Sequence, residues 1–151
     1  MFRPLAACLV SILMFAALPA TAQEARYGRQ KVVYHLNGAG GENDAAYLRA
    51  VGNIRNHIEA VGPGNIDLKV VMHGDGLGIL VSARTNLKLQ GEVANLKTTH
   101  KVEFLVCRNT LVQRKINPDK DLFEVFAEDI VPSGVAELSH LQKQGYTYVK
   151  P

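Results

Sequence analysis

Cysteine is scarce in this chain: 151 residues contain two, Cys8 and Cys107. The first falls within a stretch that reads as a secretory signal. Met1-Phe2-Arg3-Pro4 opens it, an apolar core fills residues 5–18, and Ala20-Thr21-Ala22 is the small-x-small pattern that signal peptidase cuts. Leu5-Ala6-Ala7-Cys8 has the outline of a lipid-attachment box, but most of the apolar core follows that cysteine instead of preceding it, which argues against lipidation. Cleavage after Ala22 would leave Gln23 first and Cys107 without an intramolecular partner, so no disulfide framework is expected. In an oxidising compartment a single thiol is buried and inert, paired between chains, or kept for reactivity.

Other absences narrow the function further. No apolar run after Gln23 is long enough to span a bilayer, so the mature form is expected to be soluble and periplasmic. Removing 22 residues leaves 129, enough for one domain with a sizeable core and too few for two. Only Arg3 is lost from the basic residues, so the formal charge falls from +3 to +2, and the remaining cations form no stripe. Nucleic acid is therefore not an expected partner. His57, His100 and His140 lack ligand spacing, so no metal site is expected. Neither a Gly-x-Ser-x-Gly elbow nor a pair of catalytic carboxylates is present. Gly38-Ala39-Gly40-Gly41 lies where a dinucleotide loop would, yet lacks the six-residue fingerprint and the lysine of a phosphate loop. No cofactor is expected.

What is present alternates between strand and helix. Apolar, β-branched runs at 31–36, 66–72 and 102–106, a short one at 129–131 and a last one at 146–149 read as strands. Between the first two, Asn43 or Asp44 can cap a helix whose apolar positions Tyr47, Leu48, Val51, Ile54, Ile58 and Val61 recur at helical spacing until Gly62-Pro63-Gly64. Residues 86–97 predict a helix with Leu89, Val93 and Leu96 inward. Asn109 or Thr110 can cap one that carries Leu111, Val112 and Ile116 and breaks at Asn117-Pro118. Ser133 is a good N-cap for the last helix, with Val135, Leu138 and Leu141, and Gly145 stands where a helix end wants a left-handed residue. Residues 117–128 are ambiguous: Phe123, Val125 and Phe126 suit either an extension of the fourth strand or a turn of helix. The alternation predicts βαβ units and a parallel sheet.

In such a sheet the loops after the strands share one edge, where ligands bind. That edge would gather residues 35–41, with Asn37; 73–76, opened by His73; 107–110, with Cys107, Arg108, Asn109 and Thr110; and 132–134, with Ser133. Cys107 is the candidate reactive centre, because oriented N–H groups at a following helix favour a thiolate and Arg108 adds positive charge. Arg108 pointing to solvent is equally consistent. Asn109 and Thr110 read as helix caps before catalytic groups, and His73 as either a base towards this edge or a polar opener of a turn. His35, which alternates with Tyr34, reads as structural. Tyr146 and Tyr148 put both rings on one face, for an interface or a core.

Three stretches carry a family likeness: Val71-Met72-His73-Gly74-Asp75-Gly76; Phe104-Leu105-Val106-Cys107-Arg108-Asn109-Thr110-Leu111; and Val131-Pro132-Ser133-Gly134-Val135-Ala136-Glu137-Leu138 with Leu141-Gln142 and Gly145-Tyr146-Thr147-Tyr148-Val149-Lys150-Pro151. Over residues 32–151 the chain resembles the DsrE/DsrF-like family, which includes small sulfur-relay subunits and YchN-like proteins, and within it an exported branch. The resemblance implies a three-layer α/β/α domain with a five-stranded parallel sheet, commonly assembled as trimers or hexamers. It also implies that Cys107 matches the cysteine that accepts sulfane sulfur as a persulfide, from a donor protein, and passes it to an acceptor protein. The best-known relay members work in the cytoplasm, so the exported location sets this chain apart from their pathways. The rival reading is a non-catalytic module that binds a small anion or serves as an oligomeric scaffold.

Overall fold

The computed structural model describes residues 26–151. The expected signal peptide and its cleavage site lie outside them. Five strands, β1 (Gln30–Leu36), β2 (Ile66–Met72), β3 (Glu103–Cys107), β4 (Ile130–Val131) and β5 (Thr147–Val149), form one all-parallel sheet in the order β4-β3-β2-β1-β5. Six helices connect them: α1 (Ala45–Val61), α2 (Gly78–Ser82), α3 (Leu87–Thr98), α4 (Arg108–Arg114), α5 (Pro118–Asp121) and α6 (Gly134–Lys143).

The period-2 alternation of the strands sorts their side chains to two faces. Val32, Tyr34, Leu36, Leu68, Val70, Met72, Phe104 and Val106 join apolar residues of α1 to α4 in the main core. Val33, Val71 and Leu105 point the other way and meet Leu138 and Leu141 of α6, with Tyr146. This is the expected three-layer arrangement, with unequal outer layers. In α1 the expected stripe docks as predicted, burying Tyr47, Ala50, Val51, Ile54, Ile58 and Val61. Each of the valines and isoleucines among them contributes about 1.5–3 kcal/mol over remaining exposed, which outweighs the few tenths per residue that separate ordinary helix propensities.

Several local expectations are corrected. Asp44 occupies the N-cap position of α1 but is left-handed, at φ 58°, and does not cap. Its carboxylate instead accepts hydrogen bonds from Ser82 Oγ (2.8 Å) and Asn86 Nδ2 (2.9 Å), tying α1 to α2 and α3. Asn109 and Thr110 do not cap α4 either: Cys107 is the N-cap residue, and both lie inside the first turn. Asn117-Pro118 starts a helix rather than only ending one, because Asn117 accepts from Lys120 N–H and Pro118 suits the first helical position, where no N–H is needed. Residues 122–126 form neither strand nor helix, Leu122 and Val125 being buried as irregular chain and Phe126 exposed. Helix α2 was not expected, since the glycines of the preceding turn obscured the short run Ile79-Leu80-Val81. Ser133 and Gly145 behave as predicted: the Ser133 hydroxyl accepts from Ala136 N–H, and Gly145, at φ 90°, closes α6 with Gly145 N–H to Gln142 and Tyr146 N–H to Leu141, a Schellman pair.

Candidate functional site

Strand order reverses beside β1: the chain runs from β1 outward through β2, β3 and β4, then returns to place β5 on the other side of β1. In open parallel sheets such a reversal opens a crevice at the carboxyl ends of the strands. A cavity of about 190 Å³ sits there, lined by His35, Asn37, Gly38, Tyr47 and Lys150 among others. Asn37 thus faces this crevice, at the end of β1.

Cys107 ends β3, two strands away. Its residue is 4% exposed, in line with the packing alternative, but the groups around the sulfur are hydrogen-bond donors. Burial pushes the thiol up; the Gly134 N–H, the Thr110 hydroxyl and the N–H groups of Thr110 and Asn109 outweigh it and hold the thiol below its ordinary value. Two helices therefore aim their first turns at one atom, α4 from the same strand–helix junction and α6 from across the chain. Gly134 is required for that approach. A Cβ there would stand 3.1 Å from His73 Cβ and 3.3 Å from Cys107 Cβ, inside comfortable contact with two side-chain roots that cannot rotate away.

Thr110 is the one buried polar residue of the described core, and both functions of its hydroxyl are used. It accepts from Gly74 N–H at 3.0 Å and bonds to the Cys107 sulfur, so it links the turn after β2 to the thiol. Arg108 is exposed and, among the described residues, forms no ion pair. Asn109 contributes its backbone, and its side chain is exposed. Ser133 has its hydroxyl engaged as the α6 cap.

His73 follows β2 in extended conformation, at φ −147°. Its N–H continues the ladder to Leu36 O at 3.1 Å, so its ring lands beside His35. The turn after it presses closely on β1: a Cβ at Gly76 would lie 2.0 Å from Leu36 O, and Tyr47 O–H donates to Asp75 O at 2.5 Å. His35 Nε2 and His73 Nε2 are 2.7 Å apart and share one proton, and His35 Nδ1 is 2.7 Å from Tyr148 Oη. Burial first, then His73 and Lys150, hold His35 below its ordinary value; burial and Lys150 do the same to His73. Both rings are thus favoured as neutral imidazoles.

The structure brings Cys107, His73, Asn109, Thr110 and Ser133's neighbour Gly134 together, and leaves Asn37 in the adjoining crevice. His35, read as structural, bonds to His73, and Tyr148, read as core or interface, bonds to His35. A signal for His35 was present, since it stands one residue before the end of β1 on the face that His73 shares. By contrast, His57 is a satisfied structural group, bonded to Tyr34 Oη at 3.0 Å and Gln30 Oε1 at 2.9 Å. Among the described residues no three His, Cys, Asp or Glu side chains gather as metal ligands, and no helix is long and apolar enough to cross a membrane.

A search of curated proteins finds no match. Among solved structures, the chain is similar to a protein of unknown function, MTH1491 from Methanobacterium thermoautotrophicum, at 27% identity and a TM-score of 0.66, over 81% of this chain and 99% of that one. The DsrE/DsrF-like family model matches residues 27–151, and the chain belongs to that family.

Proposed function

We propose that this protein handles sulfur in the periplasm, carrying sulfane sulfur as a persulfide on Cys107 between a donor and an acceptor protein. Membership of the family suggests a sulfur-relay-related role. The observation that carries the reading is the convergence of three N–H groups and a hydroxyl on one sulfur. Donors placed to hold a thiolate also suit the anionic states of a carrier. Thiolate is the attacking form on uptake, and it is the leaving group when an acceptor removes the outer sulfur. Inert packing would need no such donors, because a neutral thiol is a small hydrophobe.

The test is mass spectrometry of the Cys107 peptide after exposure of the folded protein to a sulfane donor. One added sulfur atom is expected, and Cys107→Ser should carry none. An unmodified wild-type thiol after prolonged exposure would overturn the reading. The crevice between β1 and β5 favours a second reading, a small-ligand module in which Cys107 is packing; full function of Cys107→Ser in cells would select it. Export is supported by the signal pattern ending at Ala22, and Gln23 should be the first residue of protein recovered from the periplasm. A trimer or hexamer is supported by Val135 of α6, a large apolar side chain left 64% exposed. Sedimentation as a monomer at micromolar concentration would count against it.

A further inference from the structure

Along the carboxyl ends of the strands, on the face that α6 covers, four side chains stand in a row: Cys107 of β3, His73 just past β2, His35 of β1 and Tyr148 of β5. Met72 pairs with Val106, so His73 is the lateral neighbour of Cys107, and Gly134 packs against the roots of both. From His73 the row continues through two hydrogen bonds of 2.7 Å, with the imidazole centroids 4.7 Å apart. Tyr148 is 40% exposed, so one end of the row is the thiol and the other is water. Deeper along the same face the strands place Val33, Val71 and Leu105, residues that pack without polar demands. Two imidazoles and a phenol at this level cost desolvation that an apolar trio would avoid.

We propose that His73, His35 and Tyr148 form a proton relay serving Cys107. It deepens the sulfur-carrier reading and rests on it. On uptake from a low-molecular-weight persulfide, Cys107 Sγ bonds to the donor's outer sulfur, the donor's S–S bond breaks, and its electron pair leaves on the inner sulfur as thiolate. One S–S bond is made and one is broken, so no oxidant or reductant is needed. The proton that Cys107 surrenders is taken by His73, whose Nδ1 has no partner among the described residues. The Nε2 proton between the rings then shifts towards His35, and the charge is shared until the proton returns to the departing thiolate or leaves through Tyr148.

The surroundings keep the rings ready to accept. Burial first, and then Lys150 beyond β5, disfavour resident positive charge on both. Asp75 and Arg114, in the turn after β2 and on α4, are paired with each other at 2.7 Å. Arg108 of α4 is exposed, and α6 has Glu137 in its first turn, but among the described residues no carboxylate is bonded to either imidazole.

The test is the rate of persulfide transfer to Cys107 from cysteine persulfide across a pH series, read by mass spectrometry, for wild type, His73→Gln, His35→Gln and Tyr148→Phe. Wild type should show an imidazole ionisation in the profile as well as that of the thiol. His73→Gln should lose about 100-fold in rate together with the imidazole step. Tyr148→Phe removes one exposed hydroxyl, is the variant least able to disturb the fold, and should shift that step with a smaller loss. Wild-type rates and profiles in folded His73→Gln and His35→Gln overturn the relay while leaving the carrier intact; if those two misfold, an unaltered profile in Tyr148→Phe does the same. A wild type that never loads overturns the carrier reading, and the relay with it.

Discussion

Thr110→Val isolates the contribution of one hydroxyl to the state of Cys107. Valine matches the shape of threonine, and the site is 6% exposed, so the packing is kept while two hydrogen bonds are lost. The bond to sulfur is charge-assisted when Cys107 is thiolate, a class that contributes about 1.5–3 kcal/mol, which corresponds to about a 10- to 100-fold fall in thiolate population. The bond from Gly74 N–H is lost as well, and stranding that donor should reduce folding stability by about 1–3 kcal/mol. The assay is the rate of iodoacetamide alkylation of the Cys107 peptide against pH. At pH values below the thiol's titration, Thr110→Val should react about 10- to 100-fold more slowly than wild type. At high pH, where both are fully ionised, the two curves should converge. That convergence separates a lost thiolate from a blocked approach, which would lower the rate at every pH. Equal rates throughout would refute the claim that this hydroxyl stabilises the thiolate.

Gly134→Ala should push the first turn of α6 off His73 and Cys107, lowering stability by about 1–3 kcal/mol and slowing alkylation at neutral pH; unchanged thermal melting would show that the contact yields freely. Gly76→Ala places a Cβ 2.0 Å from a backbone oxygen, so a loss of about 3 kcal/mol or more is expected by chemical denaturation, and retention of wild-type stability would contradict the packing of that turn on β1. Ser133→Ala should cost about 1 kcal/mol as a lost cap yet leave Cys107 alkylation unaltered; a large change in alkylation would assign the hydroxyl to the site. His35, His57 and His73 are all held below their ordinary value of 6.5, so the folded state binds fewer protons than the unfolded one in that range. Their contribution is present above the unfolded value and lost as pH falls through it, so urea midpoints should drop between about pH 7.5 and 5.5; a rise would reverse the sign of this argument.

The strands, the docking stripe of α1 and the caps at Ser133 and Gly145 were legible in the sequence because each rests on neighbours a few residues away. So was the position of Cys107, where an apolar run meets a helix start. Local rules failed where a distant partner competed. Asp44 looks like a cap, but Ser82 and Asn86 claim its carboxylate, and Thr110 looks like one too, but Gly74 and Cys107 claim its hydroxyl. The same holds for His35, which is 38 residues from His73 and 113 from Tyr148. Alternation along a strand assigns a side chain to a face and says nothing of which strand lies alongside. By itself the sequence determined the five strands, four of the six helices, the sheet type and a thiol at a strand end. Only the tertiary structure decided that β5 returns beside β1 and that α6 brings Gly134 onto β3, because strand order and helix docking are settled by burial summed over the whole core. The first places Tyr148 against His35 of the histidine pair, and the second brings the Gly134 N–H to the sulfur.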